Sequence, residues 1–180
     1  MSVASVEQAG DDACNRTGHN ETGATWADAD DLEILSWHGY LDTAIRAYHA
    51  LNRTLHTAHA LSLLDVILLD FLMRSPDGAA RMGDLAQAVV LMPGRVTQQV
   101  RRLEGQGLLR RIASERDKRS VLAQITPAGR ARMRLALRTY AGWVRIHYLD
   151  PLSRRQVTAI GDSCRRISTA LRESGMPTGR

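Results

Sequence analysis

Between residues 93 and 106 the chain reads PGRVTQQVRRLEGQ, which sets Arg95, Thr97, Gln98, Gln99, Arg101 and Arg102 among the apolar Val96, Val100 and Leu103. The apolar three recur at intervals of four and three. On a helix they line one face, and the polar residues point away from it or flank it. Arg and Gln carry forked polar groups. A guanidinium matches the O6 and N7 edge of guanine, and a carboxamide matches the N6 and N7 edge of adenine. A helix face made only for solvent would mix Glu with Lys in i, i+4 pairs; this one has a single acid, Glu104, near its end. A little further on, SERDKR places Arg116, Lys118 and Arg119 around Asp117. These side chains suit hydrogen bonding to base edges and pairing with phosphates.

The elements that must position them can be read on either side. Leu108 to Ile112 and Val121 to Ile125 alternate as two antiparallel strands. The ASERDKRS between them is longer than a hairpin turn needs. Its basic tip suits a wing that enters the minor groove or grips phosphates, with Asp117 orienting Arg119 from within the loop. Before the Arg/Gln helix, Gly83-Asp84 opens a short helix with Leu85, Ala86 and Val89 inward, and LMPGR makes the break. Pro93 suits a first helical turn, where its missing N–H is not needed. Helix, tight break, Arg/Gln helix and basic hairpin follow in the order of a winged helix-turn-helix, spanning 61–127.

A helix capped by Asp30 or Asp31 starts near Leu32 and carries Leu41, Ala44, Tyr48, Leu51 and Leu55 at helical spacing. Ser62 caps a second helix, with Leu63, Val66, Ile67, Leu69 (or Asp70) and Leu72 turned inward; Ser75-Pro76-Asp77-Gly78 ends it. Arg81-Met82 is placed to add an edge strand to the hairpin. After the hairpin, Thr126-Pro127 opens a long helix reaching Tyr148, with Arg130, Arg132, Arg134 and Arg138 in its first turns near the wing. Ser153 caps a last helix with Val157, Ile160, Cys164, Ile167 and Leu171 on one stripe, where Cys164 reads as core filling. The expected fold is mainly α with a small β-hairpin wing: a winged helix-turn-helix lobe plus a helical dimerisation region from residues 30–60 and 128–174. Residues 1–29 and 175–180 lack an apolar period and read as disordered tails.

Charge is unevenly placed. Residues 1–34 hold eight acids against one base, Arg16, whereas residues 95–138 hold twelve bases against Glu104, Glu115 and Asp117. A block that basic attracts a polyanion. All its cations except Lys118 are Arg, the forked donor. No Gly-rich phosphate loop, HExxH or Gly-x-Ser-x-Gly elbow is present. No apolar run approaches a membrane span, and the polar start is unlike a signal peptide. The expectation is a cytoplasmic, non-enzymatic protein with no cofactor. Cys14 and Cys164 are too few for a disulfide framework. His49, His56 and His59 could share a helical face, but read first as surface or interface residues.

From about Leu32 to Glu173 the chain resembles the MarR family of bacterial winged-helix regulators. MGDLAQAV, VTQQVRRLEGQGLLRR, ERDKRS and ITPAGR carry the resemblance, in that order. It implies that the VTQQVRRLE segment is the recognition helix and that Asp117 and Arg119 form the wing's Asp-x-Arg, with the arginine in the minor groove. It also implies a homodimer joined by its terminal helices on a pseudo-palindromic double-stranded operator, released by a small aromatic or phenolic effector. The chain departs from the family at Pro93 and Gly94, where relatives carry small hydroxyl residues that touch phosphate, and at Gln99, where an apolar residue is common. Gln99 either hydrogen-bonds within the helical bundle or projects to a base edge; the sequence leaves both open.

Trp37, Tyr40, Arg46, Tyr48, Trp143 and His147 lie on elements that would line an effector cleft, and aromatics with an Arg suit an aromatic acid. Each could equally pack a dimer interface. Alternatives to a ligand-responsive repressor are a winged-helix protein-interaction module, a metal-responsive regulator using the histidines, and an oxidant-responsive one using Cys14.

Overall fold

Ser62 starts the helix on which the winged lobe is built. Its hydroxyl accepts from the Asp65 backbone N–H at 3.1 Å, and the Asp65 carboxylate accepts from the Ser62 N–H at 2.7 Å. This reciprocal box satisfies two donors that a helix start otherwise leaves unpaired. The structure, a computed structural model, describes residues 26–88, 93–113 and 121–174.

Helix α1 spans Asp31–His59, and Asp30 and Glu33 box its start. Helix α2 spans Leu63–Arg74, strand β1 Ala79–Arg81, and helix α3 Met82–Ala88. Helix α4, Pro93–Gly105, carries the Arg/Gln row. Strands β2 (Leu109–Ala113) and β3 (Val121–Ile125) form the hairpin, and β1 joins the far side of β3 in the sheet order β1-β3-β2. The edge strand expected near Arg81 is therefore present, with Ala80 opposite Ala123. Helix α5 is Pro127–Val144, a π-helical turn follows at Arg145–Leu149, and helix α6 is Arg154–Glu173. No single helix among the described residues is long and apolar enough to cross a membrane.

Contacts divide the chain into residues 1–41 and 42–180, and α1 runs through the division. In the first unit a 3-10 turn, Trp26–Asp28, occupies part of the expected tail, with Trp26 5.7 Å from the His38 ring. The second unit holds the hydrophobic core. Leu55, Leu61, Leu69 and Leu72 meet Leu85, Val96, Val100 and Leu103 from the helix-turn-helix, Ala123 and Ile125 from the sheet, and Met133 and Ala136 from α5. The Leu, Val, Ile and Met side chains among them each contribute about 1.5–3 kcal/mol when removed from water.

Two expectations need correction. Ile67 is exposed and Leu68 is buried in its place, because α2 presents Leu68, Leu69 and Leu72 to the core. Cys164 is exposed, since α6 buries none of its side chains within one chain.

Candidate nucleic-acid interface

Val96, Val100 and Leu103 are fully buried, and that face sets the roll of α4 about its own axis. Arg95, Gln98 and Arg101 are exposed, while Thr97 and Gln99 are half-buried. The spacing of three between Arg95, Gln98 and Arg101 gathers them on the outward side.

The end of α4 is tightly specified. The Leu108 N–H donates to the Leu103 carbonyl at 3.0 Å, and the Gly107 N–H to Glu104 at 2.9 Å. This pair of bonds closes a helix when the residue after the cap is left-handed, and Gly107 has φ +71°. Glu104 then reaches strand β2. Its carboxylate accepts from Arg111 Nε at 2.9 Å, and that hydrogen bond holds its pKa below the ordinary 4.5. Helix α4 is thereby tied to strand β2 of the hairpin.

Arg116, Asp117, Lys118 and Arg119, the expected wing tip, lie outside the described residues, as do Val89 and Val90 at the end of the short helix, Leu91 and Met92 of the expected break, and Cys14. Strands β2 and β3 are in register from Leu109 opposite Ile125 to Ala113 opposite Val121, so residues 114–120 connect paired strand ends.

Gln99 and Arg102 turn toward α2. The Gln99 amide donates to Asp65 Oδ1, and also to Ser62 Oγ at 3.3 Å. An Arg102 guanidinium nitrogen donates to Asp65 Oδ2, although the Arg102 side chain stays 41% exposed. Gln99 therefore hydrogen-bonds within the helices, the first of the two alternatives its sequence position offers. Sequence reasoning passed over Asp65 itself. The available signal was the Ser-x-x-Asp spacing at the start of an apolar run.

The start of α5 braces the hairpin. Thr126 Oγ1 accepts from the Gly129 N–H at 3.0 Å and donates to the Gly107 carbonyl at 2.8 Å. Two of the arginines expected near the wing make contacts within the chain. Arg130 fills the space beside Gly78, and Arg132 donates to the His59 carbonyl at 2.7 Å. Arg134 and Arg138 are exposed.

Each residue expected around an effector cleft makes a local contact. Trp37 and Tyr40 face each other at 6.1 Å. Arg46 pairs with Asp42 at 2.7 Å, which raises the arginine's pKa and lowers that of the aspartate. Tyr48 meets His49 edge-on, and Trp143 lies 4.7 Å from His147. His59 shares a 2.7 Å hydrogen bond with Thr139. None of the six lines the cavity of about 610 Å³ that opens between α2 and α5. Val66, Ile67 and Phe71 form its apolar wall, Leu137 and Tyr140 face them from α5, and the paired Asp70 and Arg74 supply its charge. Its aromatics, Phe71 and Tyr140, sit at helical spacing that a sequence reading assigns to packing.

The MarR family model matches residues 51–120. A MarR family transcriptional regulator from Streptomyces coelicolor, crystallised in complex with DNA, superposes with a TM-score of 0.79 at 27% identity, over 83% of this chain and 92% of that one. AbsC, a second MarR family regulator from Streptomyces coelicolor, gives 0.77 at 28% identity, over 83% and 99%. BldR, a transcriptional regulator from Sulfolobus solfataricus, shares the fold with a TM-score of 0.68 at 24% identity, over 79% and 99%. Comparison with curated proteins finds no match.

Proposed function

We propose that the chain is a MarR-type transcriptional regulator, a ligand-responsive repressor acting in the cytoplasm as a homodimer on a pseudo-palindromic operator; the family-model match over residues 51–120 and the likeness to two MarR family structures support this reading. The observation that carries the reading is the outward row of Arg95, Gln98 and Arg101 on a helix whose opposite face is locked into the core. In the dimer the two α4 helices enter successive major grooves about 34 Å apart. The basic segment 116–119 supplies the wing, with Asp117 orienting Arg119 toward the minor groove and Arg116 and Lys118 on phosphates.

The test is selection of bound fragments from genomic DNA, followed by titration of the recovered site. Half-sites one helical turn apart support the dimeric reading. Replacing Arg95, Gln98 or Arg101 by Ala relaxes preference at one base position at a cost of about 1–3 kcal/mol if that side chain reads a base. Arg119→Ala weakens operator binding. Equal affinity for operator and scrambled duplex would instead favour the protein-interaction module.

The α2–α5 cavity supports an effector role. Its volume of about 610 Å³ suits a small aromatic molecule, Phe71 and Tyr140 offer ring contacts, and Arg74 offers a partner for a carboxylate or phenolate. On this reading the effector would sit beside Phe71 and Tyr140, with Trp37, Tyr40, Arg46, Tyr48, Trp143 and His147 left to pack an interface or line an outer approach. A ligand bound there shifts the spacing of the recognition helices only if it binds the two arrangements unequally. Aromatic acids should raise the melting temperature and release operator, and Arg74→Ala should abolish both effects. No response to any of them removes the effector assignment.

A further inference from the structure

Asp65 is fully buried, and it is the buried charged residue of the described core. Burying a carboxylate costs several kcal/mol unless it is paired and hydrogen-bonded. Here Oδ2 accepts from the Ser62 N–H and the Ser62 hydroxyl, each at 2.7 Å, and from Arg102; Oδ1 accepts from Gln99. The α2 N-terminus adds the positive end of its dipole. Closing the helix start requires Ser62 alone. The other two donors come from α4, separated from Asp65 by 34 and 37 residues in sequence.

Gln99 and Arg102 are three apart and reach the same carboxylate from one flank of α4. The apolar face of Val96, Val100 and Leu103 resists withdrawal of α4 from the core, but apolar contact is non-directional and tolerates a small rotation. Two directional bonds to a fixed carboxylate do not. Rotation of α4 would redirect Arg95, Gln98 and Arg101, the row proposed to read base edges.

We propose that Asp65 is a positioning residue for the recognition helix, and that Gln99 and Arg102 serve it as anchors and not as DNA contacts. The proposal rests on α4 being the DNA-reading helix. It removes two of the six DNA-contact candidates on the helix from the reading set and leaves base recognition to the outward row.

The test is operator titration of the full chain, as wild type and as Asp65→Asn, Arg102→Ala, Gln99→Ala and Asp65→Asn/Arg102→Ala, at several salt concentrations and on a set of single-base operator variants. Each single variant is expected to bind operator about tenfold more weakly. The double variant should be no weaker than the worse single, since both substitutions break one network. The salt slope and the base preferences should match wild type, because no phosphate or base contact has been removed. Thermal unfolding accompanies each variant. If Asp65→Asn does not fold, Arg102→Ala and Gln99→Ala carry the test, since both change side chains that are not fully buried.

A salt slope flatter by about one unit in Arg102→Ala would make Arg102 a phosphate contact and overturn the proposal. Relaxed preference at one base position in Arg102→Ala or Gln99→Ala would make that residue a reader, with the same consequence. Unchanged affinity in all the single variants would also overturn it. Failure of the wild type to select any operator removes the DNA-reading role and the positioning role together, so the wild-type arm tests the first and the variant arms the second.

Discussion

A Cβ at residue 129 would overlap the Leu108 carbonyl oxygen and crowd Ile125, so α5 comes this close to the start of β2 only because the residue is glycine. The Leu108 carbonyl also accepts from the Thr126 N–H at 3.0 Å. Gly129→Ala must push α5 away and stretch that contact. The expected loss is about 1–3 kcal/mol of unfolding free energy, the range for overpacking a filled site; a urea titration reads it as a lower midpoint with unchanged slope. Thr126 and Pro127 announce the helix start in the sequence because capping is local. The reason for Gly129 is not legible there, since it depends on a carbonyl 21 positions earlier. Asp65 is a second case. Its spacing from Ser62 is readable, but an acid inside LLDVILLD looks like an interruption of an apolar face until α4 is seen to supply its donors. Gln99 has the same limit, for its chemistry suits an adenine edge and a buried carboxylate equally well.

At the scale of elements, helix starts were the most legible features. Ser62, Thr126 and Ser153 all cap as their sequence predicts, because a cap is settled within four residues. The hairpin and the end of α4 at Gly105-Gln106-Gly107 were readable for the same reason. The α2–α5 cavity was not, as it exists only once two helices distant in sequence are packed. Between these extremes lies the link from α4 to β2. Glu104 and Arg111 are seven residues apart and meet only because Gly107 reverses the chain. The Arg111 hydrogen bond lowers the pKa of Glu104 in the folded protein below 4.5. A carboxylate so shifted adds stability above its unfolded value, and the contribution disappears as pH falls through the lowered folded value. The melting temperature of Glu104→Gln should therefore lie below wild type at neutral pH, and the gap should close on acidification below about pH 4. Both partners are solvent-accessible, so the gap should also shrink in high salt. A gap that is constant with pH would mean that Glu104 acts through packing and not through its charge.

The whole molecule poses a different problem, which is the apolar surface one chain leaves in water. Ile160, Ile167 and Leu171 recur along one stripe of α6 and are all exposed, with Cys164 between them. Leu135 on α5 and Ile146, Tyr148 and Leu149 in the π-helical turn are exposed as well, and α1 adds Leu32, Leu35, Leu41 and Ile45. Isolated exposed apolar residues are ordinary, but stripes at helical spacing on terminal helices mark surfaces that meet a partner. A second copy is the proposed partner because DNA reading demands it. One α4 helix fixes no half-site spacing, whereas two copies about a two-fold axis fix it by geometry. The stripe on α6 was visible in the sequence; what the sequence misjudged was its destination, assigning Cys164 to the core of one chain. The double substitution Ile160→Glu/Ile167→Glu places charge on that stripe without touching the core of the winged lobe. Sedimentation should show a dimer for wild type and a monomer for the variant. Operator affinity should fall steeply, because each lobe then binds a half-site alone and loses the effective concentration its twin supplied. Circular dichroism should retain the helical signal of the lobe. A variant that stays dimeric and keeps full operator affinity would place the interface elsewhere and leave the stripe on α6 without its assigned role.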